Sequence, residues 1–447
     1  MSDERERIEN IVLDPVMNVG RKFYIFIAAM SIFVIFGAVA FFWQLAHGLG
    51  VTGLNERVFW GIYITNFVFF IGISHAGTLI SAILRVTQAE WRRPLTRMAE
   101  AITLIALIIG TAQVIIDLGR PDRVWLVMVQ GRLMSPIFWD FISLTTYIAG
   151  SALFLYVAMI PDIALLRDKF NEKDGFSIRK YLYRILALKW QGSPAQQERL
   201  DKSLTIIAVL IIPVAVSVHT VVSWIFAMTW RVGWHSTIFG PYFVVGAIFS
   251  GIAALLVAMF SFRRIYHLET IIDQRLFRNL GLLLLTFVGI YFYFTFSEYL
   301  TSVYRGAKSD IDLIEELIFG QYAWLFWIFV MIGMVIPGFL LTISCWKYES
   351  EKAVWTTFSA AAMVVFAMWV KRFVIIVPSL SRPYVFANWT PYFPTWVEWA
   401  ITMGSLAAFL LVYAIFSRLF PIISIWELFE EEANYAKNPA ELQKVAK

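Results

Sequence analysis

Residues 203–228 read SLTIIAVLIIPVAVSVHTVVSWIFAM, a stretch in which one histidine is the only ionisable side chain. About 20 apolar residues are enough for an α-helix to cross the hydrocarbon layer of a membrane. A helix satisfies its backbone hydrogen bonds within the segment, as a lipid environment requires. Pro213 indicates a kink that neighbouring helices support. The stretch therefore predicts a transmembrane helix packed against other helices.

The same pattern recurs along the whole chain of 447 residues, which is 59% hydrophobic and only 15% charged. Such a composition is too apolar for a soluble domain and is typical of an integral membrane protein. We predict an all-α fold with about ten transmembrane helices. Their predicted bounds are 22–48, 58–84, 98–117, 136–161, 203–229, 239–262, 279–304, 322–346, 353–377 and 397–420.

Basic residues predict the orientation of these helices. Most of the 37 lysines and arginines fall in the two tails and the even-numbered loops, which indicates that both termini are cytoplasmic. The largest loop contains IRKYLYRILALKW (178–190), a basic amphipathic stretch typical of a helix on the inner membrane surface. The predicted organisation is a tail, a first bundle of four spans, this loop, six further spans and a tail, at residues 1–21, 22–161, 162–202, 203–420 and 421–447.

Cysteine usage and motifs exclude several classes of function. Cys345 is the only cysteine, which excludes an internal disulfide and any cysteine-rich zinc or iron–sulfur site. The sequence contains neither CxxCH nor a phosphate-binding glycine loop. The formal net charge of +5 comes from short loops between spans, so membrane topology explains it better than nucleic-acid binding does.

Ionisable residues within or at the ends of the predicted spans are the candidate functional residues. Such groups usually face the bundle interior and mark a ligand site or a proton route. Those predicted in the outer part of the membrane are Asp117, Arg120, Asp140, His219, Glu298, Lys371 and Arg372. Those predicted deeper, towards the inner side, are His75 and Glu100.

Structural interpretations of these residues stay open beside the functional ones. Asp117 and Arg120 could form an interfacial ion pair that fixes a turn. Asp140 lies one turn after Ser135-Pro136 and could favour the start of a helix.

The remaining candidates also have structural interpretations. His75 and His219 could each hydrogen-bond a neighbouring helix. Glu298 and Lys371 could pair across helices, and Arg372 could extend outward to the interface.

A membrane site with carboxylates, an arginine and histidines has the groups that a quinone headgroup requires. A carboxylate or imidazole can hold a quinol hydroxyl and accept its proton. A neighbouring arginine keeps a carboxylate ionised, and apolar walls suit the isoprenoid tail. Because the chain has no thiolate cluster to receive electrons, the redox centre would have to lie in a partner subunit.

At these residues the sequence resembles the NrfD/PsrC family of membrane subunits, which exchange electrons between quinones and iron–sulfur partners. The matching segments are spread over almost the whole chain, and they include GISHAGTLISAILR, DLGRP, SPIFWDFISLTTY, VSVHTVVSWIFAM and KRFVIIVPSLSRPY. Within the family the sequence is most similar to the ActC-type quinol-binding subunit of alternative complex III. The resemblance implies two four-helix bundles plus two flanking helices.

The resemblance also implies a quinone site in the first bundle, near the outer face and beneath an extracytoplasmic iron–sulfur subunit. By position, Asp140 in SPIFWDF matches the quinone-site aspartate of the family, and Arg120 is the arginine of LGRP. Asp117 stands where the ActC-type pattern usually has histidine. An aspartate can accept a proton, but it cannot replace a neutral imidazole donor unless it is protonated. The predicted quinone-binding residues are Asp117, Arg120 and Asp140.

The remaining expectations concern protons, cofactors and partners. The predicted proton-route residues are His75, Glu100, His219, Glu298 and Lys371. The expected cofactor is menaquinone or ubiquinone, with no metal site, haem or iron–sulfur cluster in this chain. The expected partners are the iron–sulfur subunit, a multihaem cytochrome, a second NrfD-like membrane subunit and the lipid bilayer, in the cytoplasmic (inner) membrane of a prokaryote.

Other functions remain open at this point. A related anchor of a polysulfide-type reductase would use a similar subunit. A haem b anchor needs two imidazoles at matched depth, whereas His75 and His219 are predicted at different depths. A transporter would also carry buried charges, but the sequence shows no clear inverted repeat. Aspartate at position 117 leaves a proton-conducting subunit without a quinone site as a further alternative.

Overall fold

The computed structural model describes residues 2–171, 178–382 and 389–429, and all of their side chains except those of 2–4 and 78–80. Within these residues the regular elements are helices. They are α1 (Ser2–Met17), α2 (Arg21–His47), α3 (Ile62–Val86), α4 (Arg93–Asp117), α5 (Leu126–Gln130), α6 (Pro136–Asn171), α7 (Ile178–Leu186), α8 (Pro194–Met228), α9 (Phe239–Ile265), α10 (Gln274–Arg305), α11 (Lys308–Ile318), α12 (Ala323–Val330), α13 (Ile336–Trp346), α14 (Glu351–Ser381) and α15 (Trp396–Leu419).

Ten spans in the described residues are long and apolar enough to cross a membrane, which confirms the predicted all-α fold and the number of transmembrane helices. Eight of them are single α-helices, and the ninth, Glu90–Asp117, is α4 preceded by a 3-10 turn at Glu90–Arg92. The tenth is Ala323–Trp346, in which α12 and α13 are joined by a π-helical segment, Met331–Val335. The four remaining helices, α1, α5, α7 and α11, are too short to span.

Helix packing groups most of the spans into two sets. The first set is α3, α4, α6 and α8, and the second is α9, α10, α12–α13 and α14. Extensive contacts of α3 and α8 with α9 join the two sets. The predicted first bundle, residues 22–161, instead includes α2 and excludes α8. In the structure α8 packs in the first set, whereas α2 lies outside it because α2 contacts mainly α15.

The contact between α2 and α15 depends on two glycines. A Cβ atom built on Gly37 would lie 2.9 Å from the Cα atom of Gly404, so the two backbones are too close for a larger residue. Small residues allow this approach in transmembrane helix pairs. The pair flanks the first set through contacts of α15 with α3 and α4.

The predicted loop at 162–202 is largely helical. α6 continues to Asn171 and α8 begins at Pro194, so both helices extend well beyond the predicted ends of their spans. The amphipathic stretch forms α7, which buries Tyr183 and exposes most of its other side chains. The Tyr183 hydroxyl donates to the Leu419 carbonyl oxygen at 2.7 Å, which attaches α7 to the end of α15.

Both ends of the described chain pack against the same end of the molecule. The Arg418 guanidinium donates to the Pro15 carbonyl oxygen at 2.7 Å, and the Arg5 guanidinium lies 4.8 Å from the centroid of the Phe429 ring. The predicted tails therefore begin as folded structure: α1 buries three apolar side chains, and most of residues 421–429 are buried. The tail beyond 429 lies outside the described residues.

Candidate functional site

Asp117 is the last residue of α4, and its side chain lies near α2, α3 and α15. Its Oδ1 atom is buried and has no hydrogen-bond partner among the described residues. It interacts electrostatically with Glu398 of α15, and both carboxylates interact with Tyr63 of α3. The Tyr63 hydroxyl donates to Gln44 Oε1 of α2 at 2.6 Å. A carboxylate with unused hydrogen-bonding capacity therefore lies where four helices meet.

Glu398 is fully buried and well hydrogen-bonded. Its carboxylate accepts from the backbone N–H of Gly53 at 2.7 Å, from the backbone N–H of Thr395 at 2.9 Å and from the Tyr392 hydroxyl at 2.5 Å. Glu398 was not among the predicted site residues. Thr395 and Glu398 form a capping box, and this local signal already explains a glutamate at a helix start.

Arg120 lies beyond the end of α4 and does not join the buried carboxylates. Its Nε and Nη2 atoms donate to the two carboxylate oxygens of Asp122 at 3.0 and 2.9 Å. The two side chains are 62% and 58% exposed, so this pair lies on the surface. The guanidinium lowers the pKa of Asp122, and the carboxylate raises the pKa of Arg120. The predicted contact of Arg120 with Asp117 and Asp140 is absent from the described residues.

Asp140 lies near the start of α6 and is 6% exposed. Within the described part of the chain, the Oδ1 atom of Asp140 has no hydrogen-bond partner. No charged side chain there interacts electrostatically with the Asp140 carboxyl group. Because α4 ends and α6 begins at the same end of the bundle, Asp140 and Asp117 share that end. The structure links Asp117 electrostatically to Glu398 rather than to Asp140.

His75 of α3 and His219 of α8 are in contact. Their ring centroids are 3.9 Å apart at an interplanar angle of 72°, and both residues are fully buried. The prediction of different depths was therefore wrong, and rings this close leave no room for a porphyrin between them. His75 Nε2 lies 2.9 Å from the Ala215 carbonyl oxygen, which holds α3 against α8. Neither ring nitrogen of His219 has a hydrogen-bond partner in the residues that the structure describes.

Arg372 of α14 is buried near the junction of the two sets of helices. It is 1% exposed, so it does not extend outward as the sequence analysis considered. A Cβ atom on Gly246 of α9 would lie 3.1 Å from Arg372 Nη2. The guanidinium carbon is 5.5 Å from the centroid of the Phe243 ring, whereas the Nε and Nη2 atoms lack hydrogen-bond partners among the described residues.

Glu298 and Lys371 line a small cavity of about 50 Å³ between α9, α10, α11 and α14. The two side chains interact electrostatically, as the sequence analysis considered. Lys371 Nζ donates to the Tyr299 hydroxyl at 3.4 Å and lies 4.8 Å from the centroid of the Phe329 ring. Glu298 Oε2 has no hydrogen-bond partner in the described ranges. A cavity of this size with polar walls can hold water.

Glu100 lies in the amino-terminal half of α4 and is 3% exposed. The Ser81 hydroxyl donates to Glu100 Oε1 at 3.2 Å, and Glu100 Oε2 has no partner among the residues described. Glu427, in the segment after α15, lies near enough to interact with it electrostatically. The predicted inner candidate is therefore next to the folded start of the carboxyl-terminal tail.

These features define a helical multi-pass membrane protein with buried, incompletely hydrogen-bonded ionisable groups at several levels. The described residues contain no group of three or more His, Cys, Asp or Glu side chains placed to hold a metal ion. The chain belongs to the NrfD family, described as polysulphide reductase NrfD, whose model matches residues 50–386. This match covers about three quarters of the chain and confirms the predicted membership of the NrfD/PsrC family.

Similar proteins are membrane subunits of oxidoreductases. The chain is 26% identical to one subunit of the selenate reductase of Mesobacillus selenatarsenatis, over 90% of this chain and 94% of that protein. It is 23% identical to the Hdr-like menaquinol oxidoreductase integral membrane subunit of Archaeoglobus fulgidus, over 87% of this chain and 91% of that protein. It is 21% identical to the menaquinone reductase integral membrane subunit of Nitratidesulfovibrio vulgaris, over 90% of this chain and 92% of that protein.

Proposed function

We propose that this chain is the quinone-binding membrane subunit of a multisubunit respiratory oxidoreductase and exchanges electrons with an extracytoplasmic iron–sulfur subunit. The observation that carries the proposal is that Asp117 and Asp140, at one end of the first set of helices, each have a buried oxygen without a partner among the described residues. Such an oxygen is costly unless a proton, a water or a ligand satisfies it. Family membership and two relatives named for menaquinol or menaquinone support the same proposal.

The carboxylates supply the proton chemistry of this function. Oxidation of a quinol releases two electrons, which pass to the partner, and two protons. Asp140 accepts one proton from a quinol hydroxyl, and Asp117 accepts the other. Glu398 lies near enough to Asp117 to interact with it electrostatically, so this end of the bundle holds a further buried carboxylate beside the two proposed proton acceptors. In the reverse direction the same carboxyl groups donate protons to the quinone.

A proton route from this site uses the other buried candidates. The contact between His75 and His219 and the free Oε2 of Glu100 support a path through the first set of helices. Glu298 and Lys371, on their shared cavity, support a second path through the other set. Imidazole and carboxyl groups can each take up and release a proton, which a relay requires.

More specifically, we propose that the chain is the ActC-type subunit of alternative complex III. It then lies in the cytoplasmic membrane of a prokaryote, with both termini on the cytoplasmic side. Its further partners are then a multihaem cytochrome and a second NrfD-like membrane subunit. The similarity to the selenate reductase subunit over 90% of the chain favours a second candidate, the membrane anchor of a selenium- or sulfur-compound reductase. Haem absorbance of the purified complex supports the first candidate, and selenate or polysulfide reduction supports the second.

Asp140→Asn in the purified complex tests the quinone site. The amide keeps the shape of the side chain but cannot act as a base, so quinol-linked turnover is expected to fall by about 100-fold or more while quinone binding persists. Asp168→Asn is the matched control, since Asp168 lies in the same helix and its side chain is 62% exposed. Normal turnover in both variants would reject Asp140 as the proton acceptor.

A further inference from the structure

An apolar groove of about 340 Å³ opens between α12 and α15, at the end of the molecule where Asp117 lies. It is lined by Trp369 and Phe373 of α14, by Leu325 of α12 and by Trp399 of α15. Ile62 and Tyr392 also line it. The groove therefore separates a flanking helix from the second set of helices.

Hydrogen bonds hold the lining residue Trp369 in place. Trp369 Nε1 donates to Asn66 Oδ1 of α3 at 2.9 Å, and Asn66 Nδ2 donates to the Thr402 hydroxyl of α15 at 2.9 Å. The centroids of the Trp369 and Trp399 rings are 6.1 Å apart. A groove with fixed aromatic walls can bind an apolar chain with little loss of side-chain entropy.

The described residues that line the groove are mainly aromatic and aliphatic, and none of them carries a charge. Trp324 and Trp399 are 64% and 44% exposed, as expected for aromatic residues at a membrane interface. A phospholipid with an anionic headgroup would find no cation in these walls. The chemistry of the lining instead fits the apolar chain of an uncharged lipid.

Tyr392 connects the groove to the buried carboxylates. Its hydroxyl accepts from the Ile62 backbone N–H at 2.9 Å and donates to Glu398 Oε1 at 2.5 Å. Burial and the Glu398 carboxylate raise the pKa of Tyr392, so the phenol stays protonated. Glu398 in turn interacts electrostatically with Asp117, one of the two carboxylates on which the proposed function depends. The polar end of the groove is therefore connected to Asp117 through Glu398.

We propose that this groove binds the isoprenoid chain of the membrane quinone and directs the headgroup towards the end of the bundle that holds Glu398 and Asp117. The proposal rests on the quinone-linked function proposed above and adds a binding site for the chain. An uncharged molecule with a long apolar chain and a hydrogen-bonding head matches the uncharged aromatic walls and the polar group at one end.

Leu325→Trp in the purified complex tests the groove, because the larger ring fills space between α12 and α15. The measured quantity is kcat/KM for a long-chain quinol and for a short-chain analogue with the same headgroup. The long-chain value is expected to fall about tenfold, and the short-chain value is expected to stay unchanged. Leu406→Trp is the matched control, since Leu406 is 43% exposed on α15 and does not line the groove.

Phe373→Ala supplies an independent variant, because it widens the groove and is expected to lower the long-chain preference as well. Equal losses for both quinols, or no loss for either, would overturn the groove assignment while leaving quinone chemistry intact. A phospholipid retained by the wild type and lost from Leu325→Trp, without any dependence on chain length, would also overturn it. Absence of turnover and binding with every quinol in the wild type would instead reject the proposed function.

Discussion

The two ends of the first set of helices both bury charge, but they treat it differently. At the end where α4 begins, Arg97 Nη2 donates to Asp162 Oδ2 at 2.9 Å, and both side chains are at most 2% exposed. Asp162 also accepts from the backbone N–H groups of Ile425 and Trp426. At the other end, Asp117 has a buried oxygen without a partner in the described part of the chain.

The end where α4 begins has a second paired carboxylate. Glu427 is 1% exposed and forms ion pairs with Arg85 at 3.1 Å and with Arg92 at 3.3 Å. These pairs join the carboxyl-terminal segment to α3 and to the start of α4. The ion pairs of Asp162 and Glu427 hold elements together, although Arg97 Nε and Glu100 Oε2 at this end have no hydrogen-bond partner among the described residues. A buried carboxylate oxygen without a partner, as at Asp117, is available for a proton or a ligand. We therefore expect opposite responses to substitution at the two ends.

Arg97→Ala is expected to have the largest effect on stability. Removing one partner leaves Asp162 as a buried charge, and such a loss destabilises a protein by about 3–5 kcal/mol. The free energy of unfolding in detergent measures it. Arg167→Ala is the control, because Arg167 pairs with the 62% exposed Asp168 at the same end. Equal stability of the two variants would show that the buried Arg97–Asp162 pair does not hold this end of the first set together.

Glu427→Gln is expected to have an intermediate effect. The amide removes the charge from two hydrogen bonds to arginines, and hydrogen bonds to charged groups contribute about 1.5–3 kcal/mol. Thermal unfolding and limited proteolysis of the carboxyl-terminal segment measure the loss. Glu198→Gln serves as the matched control, since Glu198 is 68% exposed and its ion pair with Lys202 lies on the surface. A protected segment in the Glu427 variant would show that these pairs do not anchor it.

Asp117→Asn is expected to change the free energy of unfolding by less than about 1 kcal/mol, because it removes a buried charge without breaking an existing hydrogen bond at Oδ1. Quinol-linked turnover is expected to fall in the same variant. Unfolding and turnover measured on one preparation check both statements. A loss of stability as large as that of Arg97→Ala would show that Asp117 has a structural role and that the two ends of the first set do not differ in this respect.

Asp122→Asn is expected to have the smallest effect, since its pair with Arg120 is exposed. Arg120 lowers the pKa of Asp122, so the contribution of this pair is present above the unfolded pKa of about 3.9 and is lost only as pH falls through the lower folded value. The small difference in stability between the variant and the wild type should therefore stay constant from about pH 5 to 8. A difference that grows across this range would show that Asp122 has another partner.

Local sequence was sufficient to predict the spans and to select most of the candidate site. The runs around Asp117, Asp140 and Glu100 are apolar enough to cross a membrane, and a carboxylate is rare in such a run. The partners of these carboxylates were not predictable. Glu398 is far from Asp117 in sequence and has its own local explanation as a helix cap.

Two other expectations failed for related reasons. Arg120 bonds a residue only two positions away, because a guanidinium in an exposed turn meets its nearest carboxylate before any buried one. His75 and His219 were assigned different depths from their positions along their own helices, but the packing of α3 against α8 brings their rings into contact. Depth along a single helix does not include the tilt and offset of its neighbour.

The sequence by itself determined the all-α fold, the ten spans and the types of buried ionisable residue, because lipid requires each segment to satisfy its own backbone and to expose apolar side chains. Only the tertiary structure decided that α8 replaces α2 in the first set, that residues 421–429 pack into it, and that Glu398 lies beside Asp117. These features depend on the rotation, tilt and close approach of helices distant in sequence, which side-chain packing determines and hydropathy does not.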